Sequence, residues 1–503
     1  MDLTAGGSLP GAWARRWEDD PARSVLHGPG GGWVTAGELQ ERTARTAGRL
    51  AASGLVPGDR LVLSAATSVD FVVTHVAALR LGLVVVPMSP VCGQPELAAI
   101  VATARPAAAV VDDHQRAGWV RAAGAGTVPV LGPPAELAAS TMGAAADPTL
   151  DAADPADPAL LLFTSGTTGR PKGAVLSHGN LLASACALGL AWRWSPADRL
   201  VLALPLHHMH GLGVGLYGTL LAGASAVVLP RFDADAVLNA ADEHRATLFF
   251  GVPTMYFRLA ASPRVRELAR LRLCVSGSAP LAADLHAAVA DRGGQVVLER
   301  YGMTETVMIA SNPYGGERRP GTVGLPLPGV RLRLTGDIGD GLDSGPAEIL
   351  VKGPSVFSGY WERPDATAEA FDGDGWFRTG DIGAFDDDGY VRIVGRAKQL
   401  IITGGYNVHP REIEDVLRGH PGVADVAVVG EPSAEWGETV TAFVVTEAHV
   451  SADALASLAA SALAPYKRPR RVVFVDELPR NEMGKVVTSE LVGRPAPSRP
   501  AGE

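Results

Sequence analysis

The chain has 503 residues, of which 47% are apolar and 19% charged, and its mean hydropathy is +0.14. That length calls for two or more hydrophobic cores, and that composition excludes a disordered chain. The net charge of −10 disfavours nucleic acid and anionic membrane as partners, because the one basic cluster, Lys467-Arg468-Pro469-Arg470-Arg471, is small and isolated. Cys92, Cys186 and Cys274 are odd in number and far apart, so neither a disulfide framework nor a zinc knuckle is expected. The first twenty residues lack the apolar stretch of a secretory signal. No charge-free apolar run of about 18 residues occurs, so a soluble protein of the reducing cytoplasm is expected.

In chain order, Asp59–Ser64 reads as a strand and Val69–Leu81 as a helix closed by Gly82. Leu83–Pro87 and Ala107–Asp112 read as buried strands, and residues 121–158, rich in Ala, Gly and Pro, as a loose connection. Ala159–Phe163, Arg199–Leu204 and Thr247–Gly251 continue the strands, the last leading into a helical segment that carries Arg258. Beyond residue 325 come short strands with glycine turns, Val330–Leu334, Ala347–Val351 and Gly389–Val394, a small antiparallel element. After Arg396 a new unit begins, with Glu412–Leu417 helical and Val423–Gly430 and Val440–Thr446 extended; residues 492–503 read as a frayed tail. Alternating strands and helices make the fold class α/β.

The sharpest motif comes directly after the strand Ala159–Phe163: Thr164, Ser165, Gly166, Thr167, Thr168, Gly169, Arg170, Pro171, Lys172 and Gly173. Hydroxyls and backbone N–H groups crowd one turn and Lys172 adds a cation, a combination suited to a polyphosphate. The Gly-x4-Gly-Lys spacing of a Walker loop is missing. Gly213-Val214-Gly215-Leu216-Tyr217-Gly218 matches a dinucleotide fingerprint, but a proline and three histidines separate it from the preceding strand, so an oxidoreductase is disfavoured.

The hydroxyl-rich segment resembles the phosphate loop of the adenylate-forming superfamily of acyl-CoA synthetases, luciferases and adenylation domains. Four further motifs stand in that family's order. Tyr301-Gly302-Met303-Thr304-Glu305 resembles its adenine and magnesium motif, and Thr379-Gly380-Asp381 its ribose motif. Gly395-Arg396-Ala397-Lys398 resembles its hinge, with the loop Thr403-Gly404-Gly405-Tyr406 beyond it. Pro479-Arg480-Asn481-Glu482-Met483-Gly484-Lys485 resembles the motif of its catalytic lysine.

The resemblance implies a large N-terminal domain over 1–395, of layered α/β subdomains with a small β-barrel, and a mobile C-terminal domain over 396–503. It implies that ATP and a small carboxylic acid form an acyl-adenylate, which a thiol, foremost coenzyme A, then attacks. Lys485 would bridge the carboxylate and the α-phosphate, offsetting the repulsion of two anions. Glu305, with Thr164, would hold Mg²⁺, and Asp381 and Arg396 would hold the ribose. Thr164–Gly169, Lys172 and Tyr301–Thr304 would line the nucleotide site, Lys398 would be the hinge, and Thr403–Tyr406 would face coenzyme A.

Pro205-Leu206-His207-His208-Met209-His210-Gly211 resembles the motif lining the acyl pocket, with His208 in the place of the family histidine and His207 where an aromatic residue normally stands. With no aspartate there to pair with an amine, an amino acid substrate is disfavoured. Arg258, Arg300, Met303 and Ser276-Gly277-Ser278 make the acyl region resemble the malonyl-CoA synthetase branch. A buried guanidinium needs an anion, so an arginine in that pocket implies a second carboxylate on the substrate, unless Arg258 is a surface residue and Arg300 pairs with Glu299 or another acid. A medium-chain fatty or aryl acid, a separate carrier protein as acceptor, and a luciferase-like oxygenation are the alternatives.

Overall fold

The computed structural model of the chain describes residues 3, 7–139, 147–164, 171–335, 346–403, 406–433, 436–448, 450–482 and 484–493. They pack as two units, 1–331 with 351–377 and 332–350 with 378–503.

The first unit holds two sheets. One has six strands in the spatial order Gly359–Tyr360, Lys172–Ser177, Pro158–Thr164, Val84–Pro87, Arg60–Ser64 and Ala108–Val111. Its last four strands run parallel, and those at 84–87 and 108–111 are buried at every position. Burial on both faces explains why they read as unbroken apolar runs. The other sheet has nine strands, with Arg199–Leu202, Leu248–Gly251, Leu273–Ser276 and Leu298–Tyr301 as parallel neighbours at its centre.

Helices join the two. Ala36–Ala52 starts at a capping box, in which Thr35 Oγ1 accepts from the Glu38 N–H at 3.2 Å and Glu38 Oε2 accepts from the Thr35 N–H at 2.7 Å. Val69–Arg80 is capped by Ser68 and packs on it. Leu9–Asp19 contacts both, and also His178–Ala191 and Tyr217–Ala222. At that junction the buried His75 Nε2 and Tyr217 hydroxyl hydrogen-bond at 2.7 Å, and Trp13 lies 5.2 Å from the Tyr217 ring.

One expectation is corrected here. Part of 121–158 is ordered: Pro134–Ala139 is a helix on Ala36–Ala52 and Val69–Arg80, because Leu137 can be buried there. The glycine hexapeptide is no strand-to-helix turn. Residues His210–Leu216 form a π-helical segment that runs into Tyr217–Ala222. Its glycines serve close packing: a Cβ on Gly213 would meet Met209 Sδ at 2.0 Å, and one on Gly218 would meet Trp194 at 2.3 Å.

The second unit contains the small antiparallel element as a four-stranded sheet, with Phe377–Phe385 and Val391–Arg396 paired antiparallel. Its other sheet is built on the long hairpin Val423–Ser433 and Gly437–Thr446. Alternation along 426–429 gives that sheet two apolar faces. Val426 and Val428 join the cluster under helices Pro410–Arg418 and Ala452–Ala462, and Ala427 and Val429 join Phe443, Val473 and Leu491. The expected division at 395/396 falls inside this unit. Arg411 of the helix Pro410–Arg418 donates to the Ile393 carbonyl at 2.9 Å, which ties the strand before 396 to a helix beyond it.

Candidate active site

Ligand sites in parallel sheets form beyond the carboxyl ends of the strands. At that end of Leu273–Ser276 the chain turns through Gly277 and Ser278, the latter at φ +70°, a conformation that costs a non-glycine residue about 1 kcal/mol. Ser278 Oγ lies 3.3 Å from His210 Nδ1, and the Ser276 hydroxyl is buried without a hydrogen-bond partner among the described residues.

On the next strand Arg300 is 4% exposed. Its guanidinium lies against Gly277, where a Cβ would sit 2.4 Å from Cζ, so any larger residue there would push the guanidinium aside. Nε and Nη2 of Arg300 are buried and have no hydrogen-bond partner among the described residues. Successive side chains on a strand face opposite ways, and the neighbouring Glu299 is engaged elsewhere: it accepts from the Leu281 N–H at 3.0 Å and the Gly321 N–H at 3.2 Å. Burial pushes the Arg300 pKa down to about 9, which still leaves it charged at neutral pH.

His210 is 3% exposed, and its Nε2 has no partner among the described residues. Desolvation first, then the charge of Arg300, then His208, hold its pKa well below the usual imidazole value, so it is neutral. The half-buried rings of His207 and His208 stand 4.4 Å apart.

Arg258 does not join this group as a buried cation. Helical periodicity turns Met255, Tyr256, Leu259 and Ala260 of Pro253–Ala261 inward and leaves Phe257 and Arg258 exposed. The burial argued for an acyl-pocket arginine therefore applies to Arg300.

The nucleotide motif comes next along the chain. Gly302 leaves the strand where a Cβ would meet the Val307 carbonyl at 2.1 Å, and a turn closes with the Thr306 N–H on the Met303 carbonyl at 3.1 Å. Tyr301, Met303 and Thr304 flank this turn, half-buried. Glu305 is 5% exposed, and its Oε1 accepts from the Tyr360 hydroxyl at 2.9 Å.

Tyr360 sits on a strand that pairs with Lys172–Ser177, and Lys172 Nζ lies 5.2 Å from its ring centroid. Thr164 ends the partner strand opposite Lys172, whose carbonyl its hydroxyl approaches at 3.5 Å. Ser165, Gly166, Thr167, Thr168 and Gly169 lie outside the described residues. Glu305 and Thr164 offer the hard oxygen donors that suit Mg²⁺.

In the second unit Asp381 and Arg396 face each other across the antiparallel pair, with Arg396 Nε donating to Asp381 Oδ1 at 2.8 Å. Asp381 is buried and Arg396 exposed. Lys485 stands on a tight turn in which Asn481 Oδ1 accepts from the Lys485 N–H at 2.9 Å and Gly484 takes φ +71°. The residue is solvent-accessible, yet its ammonium feels this site. Desolvation first, then Arg396, lower its pKa, and Asp381 partly offsets them. Structure therefore brings Lys485, Asp381 and Arg396 into one electrostatic group.

Lys398 lies in the turn Ala397–Gln399 and Tyr406 begins the strand Tyr406–Val408; both are placed by backbone alone. Thr403 is buried at a strand end with an unpartnered hydroxyl, and Gly404 and Gly405 lie outside the described residues.

Two residues of this region escape sequence reasoning. His210 is visible in sequence as one of three crowded imidazoles, but nothing local sets it apart from His208. Tyr360 reaches Glu305 only through a long-range strand pairing, which has no sequence signature.

A family profile described as AMP-binding enzyme matches residues 12–361, and a second, AMP-binding enzyme C-terminal domain, matches 412–485. A feruloyl-CoA synthase of an Amycolatopsis species is 39% identical over 96% of this chain and 98% of its own length. The mitochondrial malonate–CoA ligase of Mus musculus is 41% identical over 68% of this chain and 65% of its own. Among solved structures, ATP-bound MatB from Rhodopseudomonas palustris superposes with a TM-score of 0.90 at 42% identity, over 96% of this chain and 98% of that one. Among the described residues no helix is long and apolar enough to cross a membrane.

Proposed function

The chain belongs to the family of AMP-binding enzymes, and on that premise we propose that it is an AMP-forming acid–CoA ligase acting on a short dicarboxylic acid of the malonate type. The acid attacks the α-phosphate of ATP to give an acyl-adenylate and pyrophosphate; the thiol of coenzyme A then displaces AMP to give the thioester.

The observation that carries the choice of acid is Arg300, a buried, charged guanidinium with two unpartnered nitrogens. Such a group is costly unless an anion completes it. A substrate with a second carboxylate supplies that anion, and a planar guanidinium binds carboxylates in bidentate fashion. Similarity to malonate–CoA ligase and to MatB supports the same reading. Similarity to feruloyl-CoA synthase along nearly the whole chain supports a second, an aryl acid in the same pocket.

Roles for the remaining residues come from the chemistry. Lys485 neutralises the two anions as they meet, with its ammonium beside Asp381 and Arg396. Asp381 accepts the ribose hydroxyls, and Arg396 holds its carboxylate in place. Ser165, Gly166, Thr167, Thr168, Gly169 and Lys172 receive the phosphates, and Tyr301, Gly302, Met303 and Thr304 the adenine. Ser276, Gly277, Ser278, Met303 and His208 border the acyl group, with Arg258 at the solvent side. Glu305 and Thr164 would hold Mg²⁺, which when bound neutralises phosphate charge and eases the departure of pyrophosphate. Lys398 is the hinge that separates the half-reactions, and Thr403, Gly404, Gly405 and Tyr406 meet coenzyme A.

Pyrophosphate release with malonate, methylmalonate, acetate, octanoate and ferulate, each with coenzyme A present, tests the choice. The two dicarboxylates should give the highest kcat/KM. A preference for ferulate would replace this reading with the aryl one.

A further inference from the structure

His210 is a buried imidazole beside the site that Arg300 defines. Four observations place it there. Its Nδ1 is 3.3 Å from Ser278 Oγ, one residue beyond Gly277, on which the Arg300 guanidinium lies. Its Nε2 is buried and unpartnered, as are Nε and Nη2 of Arg300 and the hydroxyl of Ser276. Both residues are more than nine-tenths buried. The charge of Arg300 acts directly on the His210 equilibrium. Buried polar atoms are nearly always satisfied, so several open donors in one small region mark where a ligand's acceptors belong.

The charges around His210 are one-sided. Arg300 and His208 are the groups that act on it, and both disfavour its protonated form, adding to the effect of burial. The elements packed on its segment bring His178 and Cys186 from the helix His178–Ala191, Arg199 from the strand Arg199–Leu202, and Tyr217 from the helix Tyr217–Ala222. None of these is a carboxylate. His178 is itself held neutral by burial, its pKa lowered to about 4, and burial raises those of Cys186 and Tyr217. In the free site the buried charge that acts on His210 is therefore that of Arg300, and it is positive.

We propose that the far carboxylate of a dicarboxylic substrate is held between Arg300 and His210, and that its binding draws one proton from solvent onto His210. The inference rests on the proposed dicarboxylate reading. In the bound state the imidazolium donates Nδ1–H to Ser278 Oγ and Nε2–H to a carboxylate oxygen; the guanidinium N–H groups take the rest. No bond to carbon or phosphorus changes, and the balance is one H⁺ from the buffer for one carboxylate bound. The anion works against the causes that hold His210 neutral: it offsets Arg300 and sets its own attraction against the cost of burial. Because the bound state then holds more protons than the free state, affinity must rise as pH falls, by up to about tenfold per pH unit for one proton. A monocarboxylic acid has no far carboxylate and should show no such slope.

The test is calorimetry of malonate binding to the full chain saturated with α,β-methylene-ATP, so that no chemistry occurs. Repeating the titration in two buffers of different ionisation heat counts the protons. Close to one proton taken up per malonate between pH 7 and 8.5, and none with butyrate, is the expected result. His210→Gln keeps an N–H donor but cannot titrate, so malonate should still bind while the proton uptake disappears. Uptake that persists in His210→Gln would overturn the assignment to this residue. Wild-type binding without uptake would overturn the linkage even if that variant failed to fold. If the acid panel shows no dicarboxylate activation, the functional reading and this inference fall together. Activation of malonate without proton uptake sinks the inference alone.

Discussion

Two arginines on neighbouring strands of the central sheet are treated in opposite ways. Arg272, just before the amino end of Leu273–Ser276, makes two bonds to the buried Asp198, with Nε at 2.6 Å and Nη2 at 2.7 Å. Asp198 is completed by the Thr247 hydroxyl at 2.7 Å and the Ser195 N–H at 2.8 Å. Its pKa stays low despite the opposing effect of burial, because Arg272, Thr247 and Ser195 all donate to it. Arg300, at the carboxyl end of the next strand, keeps two nitrogens without partners. One sheet thus has a closed edge, where charges satisfy each other, and an open edge, where donors wait for a ligand. The presence of a buried arginine says little about function; whether its nitrogens are already used says a great deal.

The largest effect should come from removing the open arginine. Arg300→Met replaces an unpartnered buried cation with an apolar side chain. Truncating one member of a buried charge pair costs about 3–4 kcal/mol, so kcat/KM for malonate should fall by about 10²–10³-fold. The thermal midpoint should stay level or rise, since no partner is stranded by the change. A protein that loses stability instead would show that Arg300 is structural, and the comparison would collapse. At the closed edge the signs reverse. Asp198→Ala leaves Arg272 in a largely buried site without its counter-charge, and about 2–3 kcal/mol of stability should be lost, given that the Arg272 side chain is 25% exposed. In contrast to Arg300→Met, the preference among acids should be unchanged in the folded fraction.

The difference between these edges also explains what the sequence could and could not tell. Apolar runs such as Val84–Pro87 and Ala108–Val111 are legible because burial on both faces leaves no room for polar residues. The five ordered motifs are legible because each depends on residues adjacent in sequence: Asn481 and Gly484 build the Lys485 turn within five positions. Burial on a helix face is less local. Sequence reasoning leaves Arg258 between an acyl pocket and the surface, and the turn of Pro253–Ala261 puts it outside. The helix Pro134–Ala139 hides in an Ala/Pro-rich segment because its stability comes from packing on two distant helices rather than from its own pattern. The division into units is also unreadable at 395/396, since the contact of Arg411 with Ile393 spans it. Partnership is the least legible property of all. Glu299 and Arg300 look like a neutralising pair in sequence, but strand geometry sends them to opposite faces.

Tyr360 extends the comparison to a site of intermediate character, and its expected effect is the smallest. Glu305 is a buried carboxylate like Asp198, and the Tyr360 hydroxyl donates to it at 2.9 Å. The same ring lies 5.2 Å from Lys172 Nζ and belongs to a strand paired with the one that carries the phosphate-loop lysine. Burial, then the charge and hydrogen bond of Glu305, raise the phenol's pKa, so it remains a donor at every working pH. Tyr360 is therefore a positioning residue: it fixes the direction of the Glu305 carboxylate and provides a face for Lys172. Tyr360→Phe keeps the ring and removes only the donor. A hydrogen bond to a charged group contributes about 1.5 kcal/mol, so KM for ATP should rise by about tenfold while KM for malonate stays within twofold. Binding of ATP measured by calorimetry without added metal should weaken less than binding measured with Mg²⁺, because the carboxylate, not the lysine, has lost its support. Equal weakening with and without the metal would assign the effect to Lys172. A rise in both KM values would mean that the ring edge, rather than the carboxylate, had moved, and Glu305 would then belong with the closed edge of the sheet.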